Sequence, residues 1–304
     1  MKDPSTIEIR PARWADADRV AEFLRGAPAA AEESDATDLL AGGRVRTRIV
    51  AVSDGQIVGT CLYTGGAGHC AVIPPPRVLP WDETLAARLV RGAAALAARK
   101  HRARLIQALT EPEGTSPLAK AIERAGLERL AVLSYMRRPI RSEDRFLALP
   151  PDLEWRNYSL FTHRQFARTI TMTYADSLDC PRLAGLRPVN DTIETHKRTG
   201  AFSPRTWRLA EAGREPVGVG LLNENQGRGD LVYLGVVPAA RHRGVGRALL
   251  ARAVRDTAEM DLPQMGLAVD VSNTPAMRLY ESAGFREIRR RLAWFVPGNL
   301  VEAL

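Results

Sequence analysis

The chain of 304 residues is 45% hydrophobic and 26% charged, a balance that supports globular cores of ordinary size and excludes a disordered or fibrous protein. Its net charge of +8 favours anionic partners, but the densest basic clusters, 99–104 and 286–291, carry no interleaved aromatics, which argues against nucleic acid. Three cysteines without a CxxC pair, five histidines without ligand spacing, no apolar run of membrane length and no apolar leader after Met1 together predict a metal-free cytoplasmic protein with no membrane partner; monomer and homodimer both stay open.

In chain order, Ile7-Glu-Ile-Arg is extended and leads into a helix candidate. A hairpin follows, Ile49–Val52 with Ile57–Tyr63 across Asp54-Gly55. Residues 141–151 are polar and end in Pro-Pro, the composition of a linker. The chain then repeats its opening: Leu153-Glu-Trp-Arg, a helix candidate, and a hairpin of Trp207–Ala210 with Val217–Leu222 across Gly213. Between that helix and hairpin, residues 174–204 carry Asp176, Asp179, Cys180, Asp191, Glu194 and His196 among Pro and Gly breaks. This segment is expected to choose the substrate, its acidic groups suiting a cationic amine. Cys180 has no evident paired histidine and reads as a small buried residue rather than a nucleophile.

The most informative stretch is Leu231-Val-Tyr-Leu-Gly-Val-Val-Pro-Ala-Ala-Arg-His-Arg-Gly-Val-Gly-Arg247. An apolar strand ends at Pro238, and a short turn opens into a helix whose apolar stripe runs through Val245, Leu249, Leu250, Ala253 and Val254. The first amides of a helix lack intrahelical acceptors and carry the positive end of its dipole, so this turn is suited to a pyrophosphate. Gly244 and Gly246 allow close approach to the main chain, and Arg241, Arg243 and Arg247 add mobile positive charge. Leu249 stands where a dinucleotide fold would have its third glycine, and no Gly-Lys-Ser/Thr P-loop is present. Further on, Leu267, Val269 and Val271 alternate as a strand. Ser-Asn-Thr-Pro then opens a short helix that ends at Gly284, with Ser272, Asn273 or Thr274 a potential cap and Tyr280 a potential core aromatic.

Arg-x-x-Gly-x-Gly behind Leu-x-Val-x-Pro resembles the coenzyme A loop of the GNAT superfamily of N-acetyltransferases, and Asn273-x-x-Ala-x-x-Leu-Tyr280-x-x-x-Gly-Phe resembles its second motif. The resemblance implies acetyl-CoA as cofactor. It places Leu234, Gly235 and Val236 along pantetheine and the acetyl carbonyl, and phosphates on the amides of His242, Arg243, Gly244, Val245, Gly246 and Arg247, with Arg241 adjacent. Asn273 falls near pantetheine and Tyr280 beside the sulfur, as the general acid. By the same resemblance Asp230 occupies the glutamate position of histone-type members and is the first candidate base. Asp270, Glu224 and a water chain stay open, and Ala268 replaces the glutamate of the ribosomal-protein alanine branch.

An internal comparison divides the chain. Residues 70–90 align without a gap to residues 234–254, and Pro117–Leu127 to Pro275–Phe285. Gly244 falls on Pro80 and Gly246 on Asp82; Asn273 corresponds to Thr115 and Tyr280 to Ile122. The expected architecture is α/β (α+β): two tandem GNAT-like domains, each a mixed, mainly antiparallel sheet flanked by helices. Residues 1–140 are the degenerate copy, 141–151 the linker and 152–304 the active domain. Tandem chains of this kind are similar to the mycothiol synthases. The expected activity is acetyl transfer to a primary amine of a small molecule; a protein or peptide acceptor, mycothiol-synthase-like chemistry and a non-catalytic acetyl-CoA-binding module are the alternatives.

Overall fold

A computed structural model describes residues 7–26, 45–150 and 152–303, so the reading of the first six residues lies outside it. The chain divides into two compact units, Met1–Leu130 with Arg291–Leu304, and Ala131–Arg290.

In the first unit, β1 (Glu8–Pro11), α1 (Ala17–Gly26), β2 (Val45–Ser53), β3 (Gln56–Gly65), β4 (Cys70–Val72), β5 (Arg77–Val78), α2 (Glu83–His101), β6 (Leu105–Thr110) and α3 (Pro117–Arg124) follow one another. After β7 (Glu128–Pro139), the second unit runs through β8 (Glu154–Asn157), α4 (His163–Thr173), α5 (Val189–Arg198), β9 (Trp207–Ala212) and β10 (Glu215–Asn225). It continues with β11 (Arg228–Val236), α6 (Val245–Glu259), β12 (Gln264–Asp270) and α7 (Thr274–Ser282), and β13 (Arg286–Pro297) closes the series. The tight hairpins have a local cause: Asp54-Gly55, Gly213-Arg214 and Gln226-Gly227 hold positive φ at both loop residues, the conformation that matches strand twist.

The two sheets share one order. The first unit pairs β1-β2-β3-β4-β6 and then Leu292–Pro297 of β13; the second pairs β8-β9-β10-β11-β12 and then Leu133–Pro139 of β7. Pairing is antiparallel except for β4 with β6 and β11 with β12. The strand after each unit's last helix therefore completes the sheet of the other unit. The boundaries 1–140 and 152–304 differ from these units because β7 and β13 are exchanged. The segment 141–151 is also more than a linker: Ser142–Phe146 is a 3-10 turn of the second unit, with Asp144 buried against Arg138 at 2.7 Å.

In the second unit, alternation along β9, β10 and β11 sends side chains to two cores. On one face Phe166 and Ile170 of α4 and Ile193 of α5 pack with Trp207, Leu209, Val219 and Leu221. On the other, Leu250 and Val254 of α6 join Leu222, Leu231 and Val269, while Leu249 packs with Ala210, Val237 and Val245, the stripe expected from sequence. Gly218 lets α6 lie close, since a Cβ there would sit 2.8 Å from Leu249.

Candidate active site

The parallel ladder between β11 and β12 is short. It pairs Gly229–Leu231 with Met265–Leu267 and stops, while β11 runs on to Val236 and β12 to Asp270. The cause lies in β11 itself. An extra residue at Val232 shifts the register against β10, and such a bulge bends a strand. Hydrogen-bond alternation then fixes which peptide groups border the opening. Val237 N–H donates to Val217, so Tyr233 and Gly235 also bond toward β10. Leu234 and Val236 consequently turn their peptide groups to the β12 side. On β12, Val271 N–H donates to Val132, so the peptide groups of Ala268 and Asp270 face β11. The result is a gap lined by main-chain donors and acceptors on both sides.

The start of α6 adjoins this gap: a Cβ on Gly246 would lie 3.7 Å from Val236 and 3.5 Å from Leu279 of α7. Among the described residues, no backbone N–H from His242 to Arg247 donates to a backbone carbonyl; the first helical bond is Ala248 to Gly244. No side chain caps α6, and Gly244 at its N-cap has φ +84° with open space where a Cβ would stand. His242 also adopts a left-handed φ of +62°. His242, Arg243 and Arg247 have exposed side chains. Six unpaired amides and a 15-residue helix dipole with no anion of its own fit a diphosphate.

Arg241 differs from the expectation of mobile charge. Its guanidinium donates to the carbonyls of Thr173, Ala175 and Asp176 at the end of α4 and to Val236, at 2.6–3.2 Å. It is a brace that holds the loop after α4 against the end of β11. Gly235 is also a packing position, because a Cβ there would lie 2.7 Å from Thr173 Oγ1.

The first unit closes the equivalent terminus. The Asp82 carboxylate accepts the Leu85 N–H at 2.8 Å, capping α2, and Glu83 adds a second negative charge in the first turn. An anion site is thereby filled by the protein's own carboxylate. At the next helix the cap is Ser116 rather than Thr115, accepting from Ala119.

Tyr280 is 7% exposed, edge-on to Phe285, and its hydroxyl has no hydrogen-bond partner among the described residues. Burial, reinforced by the Asp179 charge, raises its phenol well above the ordinary range, so it holds its proton at neutral pH. Asn273 caps α7 by accepting the Ala276 N–H through Oδ1, which leaves its Nδ2 donors free of that role.

The carboxylates separate by their partners. Asp230 takes two bonds from Arg228 and one from Asn225, at 2.7–3.2 Å. Glu224 accepts from Gly227 in the hairpin turn. Asp270 is buried and accepts from Ser272 N–H and Oγ and from Cys180 N–H. Asp179 accepts the Asp270 N–H at 3.0 Å through Oδ1. Asp179 is solvent-exposed as a residue, and the partial desolvation of its carboxyl, with the Asp270 charge, raises it against the lowering effect of that bond. Cys180 has a left-handed φ of +46°, and burial with both aspartates pushes its thiol up, the opposite of an activated nucleophile. Nearby, Tyr233 Oη lies 2.6 Å from Thr173 Oγ1, its ring 5.6 Å from that of His196, whose imidazole desolvation lowers to about 3. This Tyr233–His196 contact had no sequence signal, since the two residues lie on separate elements.

Comparison with known proteins gives the family and relatives of this chain. Residues 172–285 match the acetyltransferase (GNAT) family model. A mycothiol acetyltransferase of Thermomonospora curvata is 28% identical over 268 residues, 81% of this chain and 80% of that protein. An acetyltransferase of Sodalis glossinidius is 30% identical over 122 residues, 40% of this chain and 81% of that protein. Among solved structures, a tandem GNAT protein from the clavulanic acid biosynthesis pathway aligns with a TM-score of 0.55 at 16% identity, covering 96% of this chain and 98% of that one. The family match and these relatives define an acyltransferase. The chain belongs to the GNAT acetyltransferase family, in its tandem form.

Proposed function

We propose that the second unit is an acetyl-CoA-dependent N-acetyltransferase acting on a primary amine of a small cytoplasmic molecule, and that the first unit keeps the scaffold without the site. The observation that carries this reading is the contrast between the uncapped N-terminus of α6 beside the β11/β12 gap and the Asp82-capped N-terminus of α2. In this reading the amides of 242–247 hold the diphosphate, with Arg243 and Arg247 closing over it, while Arg241 and Gly235 shape the site from behind. Acetyl-CoA supplies the activated thioester. The gap-facing peptide groups of Leu234 and Val236 align the pantetheine arm and stabilise an oxygen that gains charge, and Asn273 Nδ2 steadies the arm. Tyr280 gives its proton to the departing sulfur, a role served by a buried, unpartnered phenol.

A mycothiol-type acceptor is the second reading, favoured by the similarity to the Thermomonospora curvata enzyme along most of both chains. Thiol release from acetyl-CoA across a panel of small primary amines tests the proposal. Tyr280→Phe is expected to lower kcat by about 100-fold with acetyl-CoA affinity unchanged. Binding of acetyl-CoA without turnover on any amine would instead make the chain a regulatory module.

A further inference from the structure

The turn between β8 and α4 carries Leu160 and Phe161, which are 90% and 97% exposed. Its backbone is fixed. Ser159 N–H donates to Thr162 Oγ1 at 2.8 Å, Thr162 N–H donates to Ser159 Oγ at 3.2 Å, and the Thr162 hydroxyl donates to the Asn157 carbonyl at 3.0 Å. Both flanks of the dipeptide are anchored as well. Tyr158 is buried edge-on to Phe166 and Trp207 with its hydroxyl 2.8 Å from His163 Nδ1, and His163 Nε2 lies 3.1 Å from Asn190. Two large, adjacent apolar side chains are thus held out in water by an ordered turn rather than left on a slack loop.

Their surroundings carry one sign of charge. From Trp155 to Ala175 the chain has three arginines and no aspartate or glutamate. Arg156 is paired with Glu211, but Arg164 and Arg168, exposed one turn apart on α4, have no hydrogen-bond or ion-pair partner among the described residues. Arg164 also stands in the first turn of α4, where the helix dipole disfavours a cation. The first unit supplies a contrast. Trp14, before α1, is 94% exposed, but residues 8–26 hold four arginines against four carboxylates, and Arg10 and Arg19 are both paired with Asp16.

Area and charge together select the occupant of the Leu160–Phe161 tip. Two side chains of this size offer about 300–400 Å², short of the ~800 Å² per partner of a stable protein interface. The adjoining face of α4 is Arg164, Gln165 and Arg168 rather than further apolar surface. An anionic bilayer requires no such area: it takes the apolar tip at the acyl boundary and pairs the arginines with headgroup phosphates. Nor does it require a spanning helix, and no described helix is long and apolar enough to be one. We propose that Leu160, Phe161, Arg164 and Arg168 form a contact for the surface of an anionic phospholipid membrane. The contact is separate from the candidate active site: α4, of 11 residues, is about 16 Å long, and it is Thr173 at the far end that packs on Gly235 of β11.

The test sediments the full chain with vesicles of equimolar phosphatidylcholine and phosphatidylglycerol, and with vesicles of phosphatidylcholine alone. Wild type should bind the mixed vesicles, and the phosphatidylcholine vesicles at least about tenfold more weakly. Phe161→Ser should weaken binding to the mixed vesicles about tenfold or more. Arg164→Gln with Arg168→Gln should weaken it about 25-fold, at about fivefold per arginine. All three residues are exposed, so melting temperatures should match wild type. Raising salt should weaken wild type and leave the double arginine variant nearly unchanged. Phe161→Trp should add an emission component that shifts to the blue on mixed vesicles. Trp14→Ser, which removes an equally exposed side chain from a charge-balanced turn, should bind as wild type does. No binding of wild type to mixed vesicles, or equal binding by Phe161→Ser, overturns the inference. An equal loss in Trp14→Ser also overturns it, because exposed apolar surface of any kind would then suffice. Self-association of wild type without vesicles, abolished by Phe161→Ser, would assign the tip to a protein contact and overturn the lipid assignment.

Discussion

Replacing Gly244 with aspartate places in the second unit the feature that closes the first. Gly244 is the N-cap of α6, and its missing Cβ faces open space, so the substitution meets no packing obstacle. Its φ of +84° is adverse for most residues, but aspartate tolerates the left-handed region better than others, and the stability change should stay within about 1–2 kcal/mol. The effect on binding is larger. A carboxylate about 5 Å from one phosphate charge opposes it by about 0.8 kcal/mol at the dielectric of water and about 3.3 kcal/mol at an effective value of 20. At about 1.4 kcal/mol per factor of ten, that is a loss of about 4-fold to about 250-fold. The upper half of that range is expected, because the new carboxylate also accepts one of the amides the phosphates need, as Asp82 does from Leu85. Calorimetry with acetyl-CoA should give one site per wild-type chain, weakened accordingly in Gly244→Asp, and the defect should narrow in 1 M salt, where the screening length is about 3 Å. Wild-type affinity in the variant, or a second site that survives it, refutes the division of labour between the units.

Asp144 is pushed up by desolvation, but two bonds from Arg138 and the Arg141 N–H outweigh this and hold it below the ordinary carboxylate range. A lowered folded pKa contributes stability at neutral pH and loses it as pH falls through that range; Asp144→Asn should therefore cost about 3 kcal/mol in urea unfolding at pH 7, with a gap to wild type that closes below about pH 4. A gap independent of pH would show that the carboxylate's charge plays no part. Gly235→Ala sets a Cβ 2.7 Å from Thr173 Oγ1 and should cost about 1–3 kcal/mol, most of it recovered in the Gly235→Ala, Thr173→Ala double variant. Simple additivity of the two changes would place the strain elsewhere.

What the sequence made legible is what a short stretch of chain determines by itself. The strand, turn and helix of 231–254 are local, as are the hairpin loops with their positive φ, and the apolar stripe of α6 is buried where the spacing placed it. Arg241 departs from the mobile charge expected of it because three of its four partners lie at the end of α4 and in the loop after it, 65–68 residues upstream; within its own turn it looks like one of three equivalent arginines. Asp179 was one of several polar residues in a broken segment, and only Asp270, 91 residues away, distinguishes it. The exchange of β7 and β13 was hidden for a different reason. The two copies share a pattern, and a strand that fits one sheet fits the other, so the repeat fixes the number of strands and not which sheet receives the last of them.

The two copies also show why the open helix end is informative beyond its motif. A capped N-terminus stabilises a helix by about 1 kcal/mol over an uncapped one, and α2 has that contribution from Asp82 while α6 forgoes it. Leaving six amides from His242 to Arg247 without backbone acceptors is a standing cost in the free protein, partly met by water. The first unit demonstrates that the same fold accommodates a carboxylate at this terminus. The second unit therefore does not lack a cap for want of room, and the stability it forgoes is consistent with a helix end kept free for an anion that arrives from outside the chain.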